Sequence, residues 1–259
     1  MTCTPTERMT VAAARSLSNG DVCFVGIGLP SVACNLARLT HAPRISLIYE
    51  SGTLCTRPKV LPLSIGDGEL CETALTTVSV PEIFRYWLQG GRISIGFLSG
   101  AQVDRYGNLN STVIGDHATP KVFLPGSGGA TEIATSCGRI FIVMRQTPHR
   151  FVSKLDFLTS LGHGRTGRER GRLGLTTQGP VLLVTDLCVM KPEDETNEFI
   201  VASIHPGVTR DDIRRNTGWD VRFADSIEAT APPEPHELEA LRDLHARTAA
   251  AHGSGGAVE

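Results

Sequence analysis

Short apolar runs separated by helical patterns constrain this chain more than any other feature. The runs fall at 22–25, 45–49, 93–98, 140–144 and 181–184, with a further candidate at 122–124. Helical spacing fills residues 6–17, 31–39 and 81–88, and a stretch ending near residue 136. The strands are near-continuously apolar rather than alternating, so both of their faces are buried. Strands spaced by helices imply βαβ units. The expected fold is therefore α/β: an open, mostly parallel sheet with flanking helices. Punctuation agrees with this reading. Asn19-Gly20 closes the first helix, Pro81 opens the third and Gly90-Gly91 stops it. Periodicity does not give the strand order.

Three stretches break the rhythm. Residues 55–71 hold two prolines and two glycines with little period and read as a long loop. Residues 162–179, rich in Gly and Arg, read as another. Pro232, Pro233 and Pro235 lead into an amphipathic helix over 237–249, and the tail over 251–259 is expected to be disordered. No internal repeat is present. One domain over residues 1–250 is expected.

Composition narrows the function classes. A chain of 259 residues with 41% apolar side chains can bury a sizeable core. Its net charge of -2 supplies no basic field for nucleic acid, and aromatics at 5% argue against base stacking. Seven cysteines, at 3, 23, 34, 55, 71, 137 and 188, form no C-x-x-C pair and suggest neither a disulfide framework nor a zinc site. They read as small buried hydrophobes in a reducing compartment. His41, His163 and His205 flank loops without a metal-ligand spacing. Glu7 and Arg8 stand near the N-terminus without an apolar core of a secretory signal, and no run approaches the ~20 residues that span a bilayer. A soluble cytoplasmic protein without a bound metal or permanent cofactor is expected.

Five constellations could carry chemistry. In Ile45-Ser46-Leu47-Ile48-Tyr49-Glu50-Ser51-Gly52 a carboxylate ends an apolar strand on a tight turn. Ligands of open α/β sheets bind outside the carboxyl ends of the strands. Burial there would raise the pKa of Glu50 and leave it poorly hydrated, hence more nucleophilic. The competing reading is that Glu50 caps the following turn. In Pro125-Gly126-Ser127-Gly128-Gly129-Ala130, glycines before a helix let backbone N–H groups converge on an oxyanion or a phosphate. A strand–helix connection needing positive φ explains them as well. Ser127 is no nucleophile elbow, because Pro125 holds the first glycine position of G-x-S-x-G. Residues 100–111, with Gln102, Asp104 and Asn108, either line a pocket or cap their own loop. Gly26-Ile27-Gly28 lacks the third glycine of a dinucleotide site, since Ser31 stands there, and reads as a turn bringing backbone close to a ligand or neighbour. Arg165, Arg168, Arg170 and Arg172 could meet phosphates or an acidic partner, but a solvated charged loop is the simpler reading.

Taken in order, these motifs resemble the β subunit of class I CoA-transferases, particularly of the glutaconate CoA-transferase type. The shared residues include Val25 to Pro30, Glu50-Ser51-Gly52, Gly100 to Ser111, Ile114-Gly115-Asp116 and Gly126 to Ala130. Later come Arg150-Phe151, Gly167 to Arg170, Leu175, Gly179-Pro180, Val184 to Asp186, His205-Pro206 and Asn216 to Gly218. Each motif alone is weak, whereas their ordered set over residues 8–245 is specific. The resemblance implies that Glu50 attacks an acyl-CoA and carries a glutamyl-CoA thioester, with Gly128 and Gly129 as oxyanion donors. It further implies that Gly26, Gly28, Ser51, Gly52, Gln102, Asn108 and Ser127 line the acyl and CoA pocket. Coenzyme A is then a co-substrate, and a separate α subunit completes a hetero-oligomer, α2β2 or larger. Two alternatives stand beside transfer: a hydrolase or lyase using Glu50 as general base, and a non-catalytic scaffold. Glu50 together with Gly128-Gly129 argues against the scaffold.

Overall fold

The computed structural model describes residues 2–252, so most of the expected tail lies outside the described residues. The chain forms two compact units. The first contains the residues up to Phe97 together with those from Pro232 on, and the second runs Leu98–Ala231.

The first unit opens with α1 (Pro5–Arg15), started by a capping box between Thr4 and Glu7 with a proline in its first turn. There follow β1 (Val22–Val25), α2 (Leu29–Leu39), β2 (Ser46–Tyr49) and β3 (Thr53–Leu54). Next come α3 (Gly68–Glu72), β4 (Thr76–Thr77), α4 (Val80–Glu82) and β5 (Ile95–Leu98). The unit's larger sheet has the order β5-β1-β2, and both pairings are parallel. Cys23, Phe24, Val25, Leu47, Ile48 and Tyr49 are all buried. Burial of successive residues, which point to opposite faces, is what the near-continuous apolar runs require. Pro81 does open a helix, but the turn over Ile83–Leu88 is π-helical. The loop expected over 55–71 holds one short helix at its end, α3, capped by Asp67.

The second unit begins with two antiparallel hairpins. One pairs β6 (Gln102–Val103) with β7 (Leu109–Asn110), the other β8 (Val113–Gly115) with β9 (Pro120–Phe123). The run at 122–124 is thus not a strand of the larger sheet. It lies in an exposed hairpin, with Phe123 79% exposed, because Pro120 and Lys121 beside it suit an edge rather than a core. Then come α5 (Ala130–Ser136), β10 (Arg139–Val143), α6 (Glu169–Arg172), β11 (Gly179–Val184), β12 (Cys188–Pro192), β13 (Phe199–Ile204), α7 (Arg210–Arg215) and β14 (Phe223–Ala229). The larger sheet of this unit has the order β14-β13-β12-β11-β10. The β10–β11 and β13–β14 pairs are parallel, and β11–β12 and β12–β13 antiparallel. Counting both larger sheets, parallel pairings prevail, and the fold is the expected open, mostly parallel α/β type.

The last helix, α8 (Pro235–His252), belongs to the first unit and is longer than the expected 237–249. It buries Leu238, Leu241 and Leu244 and packs against α1 and α2. Its Glu237 pairs with Arg15 of α1 at 2.6 Å. Thr248 Oγ1 accepts the Leu61 N–H at 2.9 Å, which holds down the loop before α3. No described helix is long and apolar enough to cross a membrane.

The arginine-rich loop is corrected at one position. Arg170 is buried, not solvated: its guanidinium donates to the carbonyls of Ala134, Leu161, Gly162 and Thr177. Arg165, Arg168 and Arg172 remain exposed.

Candidate active site

The first unit carries a carboxylate where a parallel sheet presents its ligands. Val25 and Tyr49 are register partners at the ends of β1 and β2. The residues that follow them, Gly26 and Glu50, therefore leave the sheet side by side at its carboxyl edge. Tyr49 fixes this end of β2. It is fully buried, and its hydroxyl shares a 2.7 Å hydrogen bond with Ser31 near the start of α2. Asn35 Nδ2 holds the Ser31 carbonyl at 2.9 Å from the next turn. Sequence reasoning leaves Tyr49 uninterpreted, because a tyrosine in an apolar run gives no hint of its hydroxyl's partner.

Glu50 is half-buried, and its carboxylate meets neither a hydrogen-bond donor nor a cation among the described residues. Burial pushes its carboxyl above the ordinary range, as expected from its position. The capping alternative fails here. The turn is closed by its own backbone, with the Gly52 N–H donating to the Tyr49 carbonyl at 3.0 Å, and the Glu50 side chain accepts no bond from a turn amide among the described residues. Glycine is obligatory at position 52. Its φ is +105°, and a Cβ there would stand 2.0 Å from the Val78 carbonyl oxygen. That close approach lets Val78 N–H donate to the Gly52 carbonyl at 2.9 Å, which docks β4 beside β3. Ser51 Oγ and Thr53 Oγ1, on either side of Gly52, are buried without a hydrogen-bond partner among the described residues. On the β1 side, Gly28 adopts φ +87° and leads into α2, whose first N–H groups carry no side-chain cap.

The second unit holds the glycine turn. Gly126 and Gly128 have φ of +94° and +46°, and Gly129 leads directly into α5. Ser111 anchors the turn: Gly126 N–H donates to the Ser111 carbonyl, and Ser111 Oγ returns a bond to the Gly126 carbonyl, both at 2.8 Å. The N–H groups of Ser127, Gly128 and Gly129 meet no acceptor among the described residues. Successive unpaired amides at the foot of a helix suit a developing negative charge.

The loop 100–111 is held by its own side chains. Gln102 donates to Asp156 Oδ2 at 3.0 Å, and its Oε1 accepts from Asn110 Nδ2 and from the Asp156 N–H. Asn108 donates to Asp104 at 2.8 Å and to the Gly164 carbonyl at 2.9 Å, while its Oδ1 accepts the N–H groups of Gly162 and Gly164. Both amides are buried. They brace this loop against 156–164, and Ser111 at its end braces the glycine turn.

A model of the coenzyme A transferase family matches residues 6–216. The chain belongs to the coenzyme A transferase family. It is 63% identical to the B subunit of the 3-oxoadipate CoA-transferase of Pseudomonas knackmussii, over 98% of this chain and 97% of that one. It is 38% identical to the B subunit of the glutaconate CoA-transferase of Acidaminococcus fermentans, over 92% and 90% of the two chains. The crystal structure of glutaconate coenzyme A-transferase from that organism superposes with a TM-score of 0.87, covering 93% of this chain and 94% of its own. The chain is thus a CoA-transferase subunit, and these relatives favour transfer over the hydrolase, lyase and scaffold alternatives.

Proposed function

We propose that this CoA-transferase subunit carries the nucleophile, Glu50, and moves CoA from an acyl-CoA to a 3-oxo dicarboxylic acid of the 3-oxoadipate kind. The reaction class is that of the family. The acceptor class is taken from the relative 63% identical to this chain. One observation carries the role of Glu50: its carboxylate is half-buried, unpaired and held above the ordinary carboxyl pKa at the carboxyl edge of a parallel sheet.

The chemistry follows from a desolvated carboxylate. A Glu50 oxygen attacks the thioester carbonyl, and the carbon–sulfur bond breaks to give an acyl-glutamyl anhydride and CoA thiolate. The thiolate attacks the glutamyl carbonyl and expels the donor's carboxylate, leaving a glutamyl-CoA thioester. An acceptor carboxylate then runs both steps in reverse. No net proton is needed, because one carboxylate enters for each that leaves. Each step passes through a tetrahedral oxyanion, a role that the resemblance gives to the N–H groups of Gly128 and Gly129 and that their lack of protein acceptors supports. A positioned carboxylate also gains effective concentration, which free carboxylates in water lack. An α subunit is proposed as partner, since the relatives are named as B subunits, and a cytoplasmic hetero-oligomer is the setting.

The test is transfer by the co-expressed complex, assayed with 3-oxoadipate, glutaconate and acetate as acceptors. Wild-type complex is expected to favour 3-oxoadipate, and Glu50→Gln to lose transfer by at least ~10³-fold while the complex still assembles. Full activity in Glu50→Gln would rule out the nucleophile, and preference for acetate would rule out the acceptor class.

A further inference from the structure

The second unit contains a cavity of about 710 Å³ that neither the glycine turn nor Glu50 lines. It is formed between the loop at 104–108, the segment 153–158 and Arg165 of the arginine-rich loop. This volume lies in the range of small-molecule sites, about 300–1,000 Å³. Its lining combines two chemistries.

The first is unbalanced positive charge. Lys154 and Arg165 are exposed and pair with no acid among the described residues. Arg105 adds a third cation, held only loosely by Glu198 at 3.8 Å, whose other partner is Arg222. Two acids share the lining, Asp104 and Asp156, and both are engaged. Asp104 accepts from the N–H groups of Tyr106 and Asn108 and from the Asn108 amide. Asp156 accepts from Gln102 and from the Gly115 N–H. Asp104 also offsets Arg105, so the charges left unanswered at the cavity are those of Lys154 and Arg165, both exposed.

The second chemistry is aromatic. Tyr106 and Phe157 line the same cavity, and Phe157 is held in place by His117, stacked at 5.0 Å with 21° between the rings. Leu155 and Leu158 complete an apolar wall. Flat aromatic faces beside guanidinium and ammonium groups suit a purine carrying phosphates. A simple carboxylate would leave the aromatic half unused.

We infer that this cavity binds the phosphorylated adenosine end of CoA, with Lys154 and Arg165 on phosphate oxygens and the base against Tyr106 and Phe157. The inference rests on the transferase reading for the identity of the nucleotide, and it assigns a purpose to the exposed arginine that the glycine-rich loop presents. It also separates Arg165 from Arg170 in the same loop: Arg170 is consumed in holding the loop's shape, which leaves Arg165 placed at the cavity rim.

The test uses the co-expressed complex with Lys154→Ala, Arg165→Ala and the double variant. Arg172→Ala, in the same loop but outside the cavity, is the control. Calorimetry with adenosine 3′,5′-bisphosphate reads the site without turnover, and steady-state kinetics compare acyl-CoA, acyl-3′-dephospho-CoA and acyl-pantetheine. Expected is a rise of about ten-fold in the KM for acyl-CoA in the double variant, a matching loss of bisphosphate affinity, and no change with acyl-pantetheine. Bisphosphate binding and acyl-CoA KM that match wild type in the double variant would overturn the site. An equal loss with acyl-pantetheine would also overturn it, as a general structural effect. Weaker bisphosphate binding with an unchanged acyl-CoA KM would overturn the CoA assignment in favour of a separate nucleotide. A complex that binds the bisphosphate through Lys154 and Arg165 but transfers no CoA would uphold the site and count against the transferase reading instead.

Discussion

A carboxylate that is half out of water and unpaired costs the fold something, and Glu50 is in that state. Its folded-state pKa is raised, so the native chain holds the proton more tightly than the unfolded chain does. The penalty is absent below the ordinary carboxyl range and grows as pH rises through the raised value. Replacement by an uncharged isostere removes it. Glu50→Gln is therefore expected to raise Tm at pH 7–8 relative to wild type, with the difference vanishing towards pH 4, as read by thermal unfolding across pH. A Tm difference independent of pH would contradict the desolvated carboxylate. In the proposed mechanism transfer needs the ionised form, so its rate should fall on the acid side at a pH above the usual carboxyl value. Little of this is legible in the sequence. There Glu50 is a carboxylate after an apolar run, and a cap explains it as well. What distinguishes the two readings is whether the side chain accepts a turn amide, and hydrogen-bond partners are set by three-dimensional packing. The same holds for Tyr49, whose hydroxyl finds Ser31 18 residues away in sequence.

At the scale of elements, the two glycine-containing turns look alike in sequence but differ in how they are built. Gly52 combines positive φ with a backbone contact that no Cβ could share. Gly128 also has positive φ, yet a Cβ there would meet nothing within 4 Å. Gly128→Ala should cost about 1 kcal/mol through its backbone alone. Gly52→Ala should cost about 3 kcal/mol or more, because β3 and β4 must separate to admit the methyl group. Urea unfolding of the two variants checks this order, and equal midpoints would contradict the packing of Gly52 on Val78. The regular elements explain which parts of the fold the sequence reveals. Strands β1, β2, β5, β10 and β11 carry near-continuous apolar runs because both faces are largely covered, and those runs stand out. Strands β12 to β14 escape the pattern. β13 alternates buried Phe199 and Val201 with half-buried neighbours, and β14 exposes Asp225, Ser226 and Glu228. Such half-polar strands carry a weaker signal than a buried run. The run at 122–124 does overlap a strand, β9, but in an exposed hairpin rather than a buried sheet, which a short apolar run does not reveal.

Over the whole chain, the α/β class and its parallel character follow from local patterns, while the partition into two units does not. Helix α8 packs on α1 and α2 through Leu238, Leu241 and Leu244, and Glu237 reaches Arg15 across 222 residues of sequence. An amphipathic helix announces that it will bury one face but not which element it will meet. The ordered motifs are more informative than any single residue, because their order along the chain resembles one family, to which the chain belongs. Central to the proposed mechanism is the covalent attachment of CoA to Glu50 during transfer. The most direct measurement is mass spectrometry of the co-expressed complex, incubated with acyl-CoA and no acceptor and then treated with borohydride or hydroxylamine. The modification is expected on the peptide containing Glu50, dependent on acyl-CoA and absent from Glu50→Gln. An actively transferring complex whose Glu50 stays unmodified, or one modified at another residue, would contradict it.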